Sequence, residues 1–159
     1  MRKEIFFKKQ YTTKNASQTR SLGVFFAKKT LKTTPQKYAF ILALQGELGA
    51  GKTTFLQGLA QGLNTRERAQ SPTFVIMKKY KIRKKNSKFK NFYHIDCYRV
   101  NGQKEIMQLG FKKIVSAPES IIAIEWADKI LSILPKNSLR LRFQVAGKKT
   151  RKIKLSIKK

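Results

Sequence analysis

The sequence predicts an α/β fold built on a mixed sheet, and three observations predict it. A continuous apolar run, Tyr38 to Leu44, leads at once into a glycine-rich turn and then into a helical pattern from Lys52 to Leu63. A second region, Thr73 to Arg99, reads as two strands joined by a polar turn. A third, Ser138 to Lys158, alternates apolar and polar residues on either side of Gly147. A strand–loop–helix unit combined with hairpins is the pattern of helices packed on a sheet of mixed direction. The 159 residues suit one compact domain spanning 1–159, and no repeat, low-complexity tail or linker interrupts them.

The elements follow in chain order. Glu4 to Lys9 contains the apolar patch Ile5-Phe6-Phe7 and reads as an opening strand. Ser17 precedes Leu22, Phe25, Phe26 and Leu31, which are spaced like one helical face, so a helix capped by Ser17 is predicted, ending before Thr33-Thr34-Pro35. Tyr38 to Leu44 has the character of a strand buried on both faces. In the helix from Lys52 to Leu63, Phe55, Leu56, Leu59 and Leu63 fall on one side. Strands are predicted over Thr73 to Ile82 and Phe89 to Arg99, with the polar run Arg83 to Lys88 turning between them. Gln103 to Ser116 reads as one or two short helices broken at Gly110, and Ser120 to Trp126 as another apolar strand. Asp128 to Leu134 is a short helix stopped by Pro135. In the final pair Leu139, Leu141, Phe143 and Val145, then Ile153, Leu155 and Ile157, point one way, so these strands bury a single face.

Charge sets the broad class. There are 36 Lys and Arg against 8 Asp and Glu, a net +28, in a chain that is 41% hydrophobic. Such a field attracts polyanions. Lysines outnumber arginines 27 to 9, however, and Lys is the less specific of the two for phosphate. A Lys-biased coding background would produce the same surplus, so charge alone does not define a nucleic-acid-binding function. The single cysteine, Cys97, excludes an internal disulfide and a multi-cysteine zinc site, and the only histidine is His94. The basic start lacks the apolar core of a signal peptide, and Tyr38 to Leu44 is far short of a membrane span, so a cytoplasmic protein is expected.

The sharpest motif is Gly46-Glu47-Leu48-Gly49-Ala50-Gly51-Lys52-Thr53, which fits Gly, four residues, Gly, Lys, Ser or Thr. Glycines let successive backbone N–H groups curl around phosphate oxygens while the following helix adds its positive end. In that pattern Lys52 reaches the β- and γ-phosphates and the Thr53 hydroxyl coordinates Mg²⁺. The flanking apolar strand and amphipathic helix are the context the motif requires. Ile121-Ile122-Ala123-Ile124-Glu125 then delivers a carboxylate at the end of an apolar strand, the arrangement that places an acid beside Mg²⁺. Trp126, next to it, reads equally as a core residue.

Asp96 is the second candidate acid. In strand alternation His94, Asp96 and Tyr98 share one face, and Tyr93, Ile95 and Cys97 the other. The polar face reads either as lining a site or as a solvated hairpin face. His94 alone reads more readily as structural than catalytic, and Cys97 as a small core residue. Ser71-Pro72-Thr73 reads as a turn, or as a hydroxyl that senses the γ-phosphate or its metal.

Together, GELGAGKTT (Gly46 to Thr54), SPTF, HIDCYR and the Glu125-Trp126 pair, in this order, resemble the TsaE (YjeE) family, small bacterial ATPases required for threonylcarbamoyladenosine formation on tRNA. Phe74 stands where that family often has Tyr, and Cys97 where an aliphatic residue is common. The resemblance implies a P-loop NTPase-like α/β fold: a mixed, mainly parallel central sheet flanked by helices, with β-hairpin additions. It implies ATP held by Gly46 to Thr54, Mg²⁺ near Thr53, Asp96 and Glu125, and Thr73 as the switch-like hydroxyl. It implies Lys52, Asp96 and Glu125 as the catalytic set. It also implies partnership with TsaB and TsaD, with TsaD performing the transfer to adenosine 37 of tRNAs reading ANN codons. Contact with tRNA would be indirect, or direct through the basic charge. Two other readings stand beside it: a small-molecule kinase with the same phosphate loop, and a basic nucleic-acid-binding module with a vestigial nucleotide site.

Overall fold

The structure, a computed structural model, describes residues 9–67 and 75–157. Its elements are β1 (Gln10–Thr13), α1 (Ala16–Leu31), β2 (Phe40–Gln45), α2 (Lys52–Gly62), β3 (Met77–Lys81), β4 (Asn91–Asp96), α3 (Gln103–Gln108), α4 (Phe111–Val115), β5 (Ser120–Glu125), a 3-10 helix over Ala127–Ile133, β6 (Leu139–Val145) and β7 (Arg151–Ile157). All seven strands join one sheet in the order β1-β7-β6-β2-β5-β4-β3. β6, β2, β5 and β4 form a parallel block in the middle. β3 closes one edge antiparallel to β4, and β7 and β1 extend the other as an antiparallel ribbon. The expected mixed sheet with hairpin additions is what the chain adopts.

The apolar runs explain the centre. Every residue of β5, and all of β2 up to Leu44, is buried, because each strand has helices on both sides. Leu42, Leu44, Ile121 and Ala123 pack towards α1 and α2, and Ile41, Ala43, Ile122 and Ile124 towards α3, α4 and the 3-10 helix. Phe55 of α2 meets Phe26 of α1 and Phe143 of β6 edge to face, with ring centroids 5.3 and 5.5 Å apart. The helices α1 and α2 approach through glycine. A Cβ at Gly23 would lie 2.0 Å from the Phe55 carbonyl oxygen, and one at Gly58 would lie 1.9 Å from that of Arg20.

Some boundaries differ from the sequence reading. The predicted strand around Ile5-Phe6-Phe7 falls outside the described residues; a four-residue strand that the reading did not anticipate, Gln10–Thr13, pairs with β7. The first helix is capped by Asn15 rather than Ser17, because the Asn15 carboxamide oxygen accepts the Gln18 N–H at 2.9 Å and the helix therefore starts one residue before Ser17. β4 ends at Asp96, not Arg99: the Asp96 carboxylate accepts the Tyr98 N–H at 2.9 Å and turns the chain out of the sheet. The helices at Gln103–Gln108 and Phe111–Val115 do break at Gly110, whose φ is +80°. The short helix before Pro135 forms as a 3-10 helix. Among the described residues no helix is long and apolar enough to cross a membrane.

Two outcomes follow from this packing. Gly58→Ala, which in an exposed helix would stabilise by about 1 kcal/mol, is expected here to destabilise by about 1–3 kcal/mol, because the new methyl meets backbone; thermal melting against the parent chain measures the sign. Cys97 is wholly buried, and burial, reinforced by Asp96, pushes its thiol up to about 12. Iodoacetamide at pH 8 is expected to leave the native protein unmodified and to alkylate it only after denaturation, as read by intact mass.

Candidate functional site

The candidate site lies where the parallel strands end. Register places Leu44, Glu125 and Asp96 side by side at the carboxyl ends of β2, β5 and β4, the edge at which open α/β sheets bind ligands. From β2 the chain passes into the glycine loop, and Gly46, Gly49 and Gly51 all have positive φ, at +144°, +77° and +98°. At Gly46 the space is also closed, since a Cβ would lie 2.5 Å from the Phe143 carbonyl oxygen. Loop and helix meet at Gly51, whose left-handed backbone starts α2 with no side-chain cap, leaving its first amides to face the loop. Leu48, at the loop tip, is 79% exposed.

Lys52 is nearly buried, and its Nζ donates to the carbonyls of Gly46, at 2.5 Å, and Glu47, at 2.8 Å. The Trp126 ring covers it, with the ammonium 4.2 Å from the ring centroid. Trp126 reaches that place because its own backbone is left-handed, φ 55° and ψ 40°, so the chain reverses directly after Glu125 and returns the indole over the loop. The indole packs on Tyr98 at 5.0 Å. Trp126 thus packs against the core, in keeping with the sequence reading, and also lies as a lid on the loop lysine. Burial lowers the Lys52 pKa, opposed chiefly by the nearby carboxylates of Glu125 and Asp96.

Glu125 is only 2% exposed, and both of its oxygens are engaged. Thr53 donates its hydroxyl to Oε1 at 2.8 Å, and Nε2 of His94 lies 2.8 Å from Oε2. Nδ1 of His94 is buried with no partner, so the ring's proton belongs on Nε2, where it donates to the carboxylate. The solvated alternative for the face carrying His94 is therefore overturned. That face packs under α2, and Tyr98 leaves it because the strand has ended. Asp96 is half-buried and lines a cavity of about 530 Å³ together with Leu48 to Thr54, Arg99, Glu105, Glu125 and Trp126. Gly46 and Glu47 border a second cavity behind the loop. Thr73, with Ser71 and Pro72, lies outside the described residues.

The donor chemistry fits a nucleotide with a hard divalent cation. Glycine amides and a lysine suit phosphate, and one hydroxyl beside two carboxylates suits Mg²⁺. Among the described residues no three His, Cys, Asp or Glu side chains group as a protein-only metal cage. Mg²⁺ bound through few protein oxygens and through phosphates does not need one.

Sequence reasoning read His94 as structural without finding its partner, and it missed Arg151. His94 stands two residues from Asp96 on β4, and only the pairing of β4 with β5 brings it to Glu125. Arg151 donates from Nε and Nη2 to the Gly49 carbonyl, at 3.2 and 3.0 Å, and from Nη1 to Gly147 and Thr150, which ties the β6–β7 turn to the glycine loop. No local motif marks an arginine placed about a hundred residues from its partner.

Known proteins share this pattern. The family model for threonylcarbamoyl adenosine biosynthesis protein TsaE matches residues 13–153. Proteins named tRNA threonylcarbamoyladenosine biosynthesis protein TsaE are similar over much of the chain. That of Borreliella burgdorferi is 44% identical over 108 residues, 67% of this chain and 74% of that protein. That of Bacillus subtilis is 37% identical over 113 residues, covering 71% and 66%, and that of Haemophilus influenzae 36% over 126, covering 79% and 75%. The crystal structure of Bacillus subtilis YdiB superposes with a TM-score of 0.70 at 30% identity, covering 93% of this chain and 84% of that one. With its glycine loop and strand-end acids on this fold, the chain is a P-loop nucleotide-binding protein and belongs to the TsaE family of tRNA threonylcarbamoyladenosine biosynthesis.

Proposed function

We propose that residues 1–159 act as one ATPase domain that binds ATP with Mg²⁺ and hydrolyses it in the cytoplasm. Its role would be to support threonylcarbamoyladenosine formation at position 37 of tRNAs reading ANN codons, in company with TsaB and TsaD. The observation that carries this reading is the 2.8 Å bond from Thr53, first turn of the loop helix, to the strand-end carboxylate of Glu125. It joins the phosphate-binding loop to the acid that a metal-dependent NTPase needs beside it.

Each residue has a task derived from its position. The loop amides and Lys52 hold the phosphates, and Trp126 keeps the ammonium shielded from water on one side, which strengthens its field. Thr53 and the carboxylates of Glu125 and Asp96 would hold Mg²⁺, which supplies neutralisation of charge on the phosphoryl oxygens. Glu125, fixed at both oxygens, also orients the hydrogen-bond network in which an attacking water is positioned. His94 and Arg151 act indirectly, the first by orienting Glu125 and the second by fastening the loop.

Glu125→Gln, which preserves shape and removes charge, is expected to lower ATP turnover about 100-fold or more. Lys52→Ala is expected to lose ATP affinity, and circular dichroism should show both variants folded; parental phosphate release by either refutes the site. Reconstitution with TsaB, TsaD, threonylcarbamoyl-adenylate and tRNA is expected to show more modified tRNA when this protein and ATP are both added. The Glu125→Gln chain should remove that gain.

A further inference from the structure

Among the described residues, one part of the sheet has a face that no helix covers. On β1, β7 and β6 the side towards α1 carries Tyr11, Ile153, Leu141 and Phe143, all packed in the core. The other side belongs to neither core cluster. Register builds it in rows. Gln10, Lys154, Arg142 and Gln45 line up across β1, β7, β6 and β2. Lys152 pairs with Gln144 in the row on one side of it, and Ser156 with Arg140 in the row on the other. All but Arg140 and Gln45 are exposed.

Three features distinguish this face from a merely solvated one. Arg142 stands directly opposite Lys154, and like charges at facing positions of an antiparallel pair destabilise it. β1, β6 and β7 contain no acid, and among the described residues no carboxylate forms an ion pair with Arg140, Arg142, Lys152 or Lys154. Arg140 keeps a buried Nε with no acceptor. On β1, β7 and β6 these rows carry no apolar side chain, whereas a protein partner would need an apolar centre to dock on. Cations spaced about 7 Å apart along each strand and about 5 Å across strands, interleaved with Gln, Thr and Ser, suit a chain of phosphates. The face opens into the cavity of about 730 Å³ behind the loop, where Arg142, Gln144 and Lys152 share the lining with Glu47, Asp128 and Trp126.

We propose that the uncovered β1–β7–β6 face is a binding surface for the phosphodiester backbone of RNA, running up to the rear of the nucleotide loop. Taking tRNA as that RNA rests on the pathway reading above; the surface itself rests on the register and charge of the strands. Binding is to be measured without ATP, by anisotropy of fluorescein-labelled unmodified tRNA across a salt series. A parallel titration uses an unrelated RNA hairpin. The double variant Arg142→Gln, Lys154→Gln is compared with Lys84→Gln, Lys85→Gln, which removes the same charge from the β3–β4 turn. The first pair is expected to weaken tRNA binding about tenfold and to reduce the salt slope by about two. The second should change both much less. Loss of the facing like charges should leave the melting temperature unchanged or raised. Equal effects from the two pairs would reduce the surface to bulk charge and overturn the proposal, as would displacement of tRNA by polyglutamate at equal charge concentration. Binding of the hairpin but not of tRNA would refute the pathway reading while leaving the surface intact. Failure of ATP hydrolysis alone would touch only the nucleotide site.

Discussion

A buried carboxylate is the constraint on which the rest of the structure turns. Glu125 ends a strand whose every residue is buried, in a chain with only eight acids, and a charge in that position has no water to solvate it. Two donors answer it, Thr53 from the helix after the glycine loop and His94 from the neighbouring strand. Hydrogen bonds to a charged group contribute about 1.5–3 kcal/mol each, and losing one leaves an unpaired charge at larger cost. The carboxylate thus joins three elements remote in sequence. The same contacts point it at the cavity where a nucleotide would lie.

Close packing on the other side of the loop serves the same end. Gly23 and Gly58 let α1 and α2 touch backbone to backbone, so α2, which packs on the sheet through Phe55, Leu56 and Leu59, is also fixed from the side by α1. Arg151 fastens the loop from the β6–β7 turn, and Trp126, in a backbone conformation unfavourable for a bulky residue, lies on Lys52. Strain of this kind persists only where the surroundings over-determine it, and here it lies directly against Lys52 of the glycine loop.

Charge divides into two populations. Glu125, Asp96, Glu105, Glu47 and Asp128 gather around the two cavities at the strand ends, one of which Arg142 and Lys152 also line, while the strands β1, β7 and β6 themselves carry cations and no acid. The +28 is therefore not spread evenly over the surface. The acids neutralise Lys52 and its neighbours locally, and the field that faces outward on the uncovered strands is left unbalanced.

By itself the sequence determined what depends on local pattern. The apolar runs ending in Gly46 and Glu125, the glycine loop with Lys52 and Thr53, the break at Gly110 and the one-faced final hairpin are all set by residues adjacent along the chain. Their physical causes, burial on both faces, positive φ and period-two alternation, act over a few residues. Even the motifs that resemble the TsaE family are local strings. The tertiary structure decided everything that depends on which strand lies beside which. His94 reads as an ordinary structural residue until β4 pairs with β5, and Trp126 as nothing more than core until a left-handed turn lays its ring over Lys52 as well. Arg142 and Lys154 are two lysine-rich-chain cations among many until antiparallel pairing sets them face to face. Register is chosen by the hydrophobic faces of the whole sheet together, because a one-residue slip would turn every buried side chain outward, so no single segment encodes it.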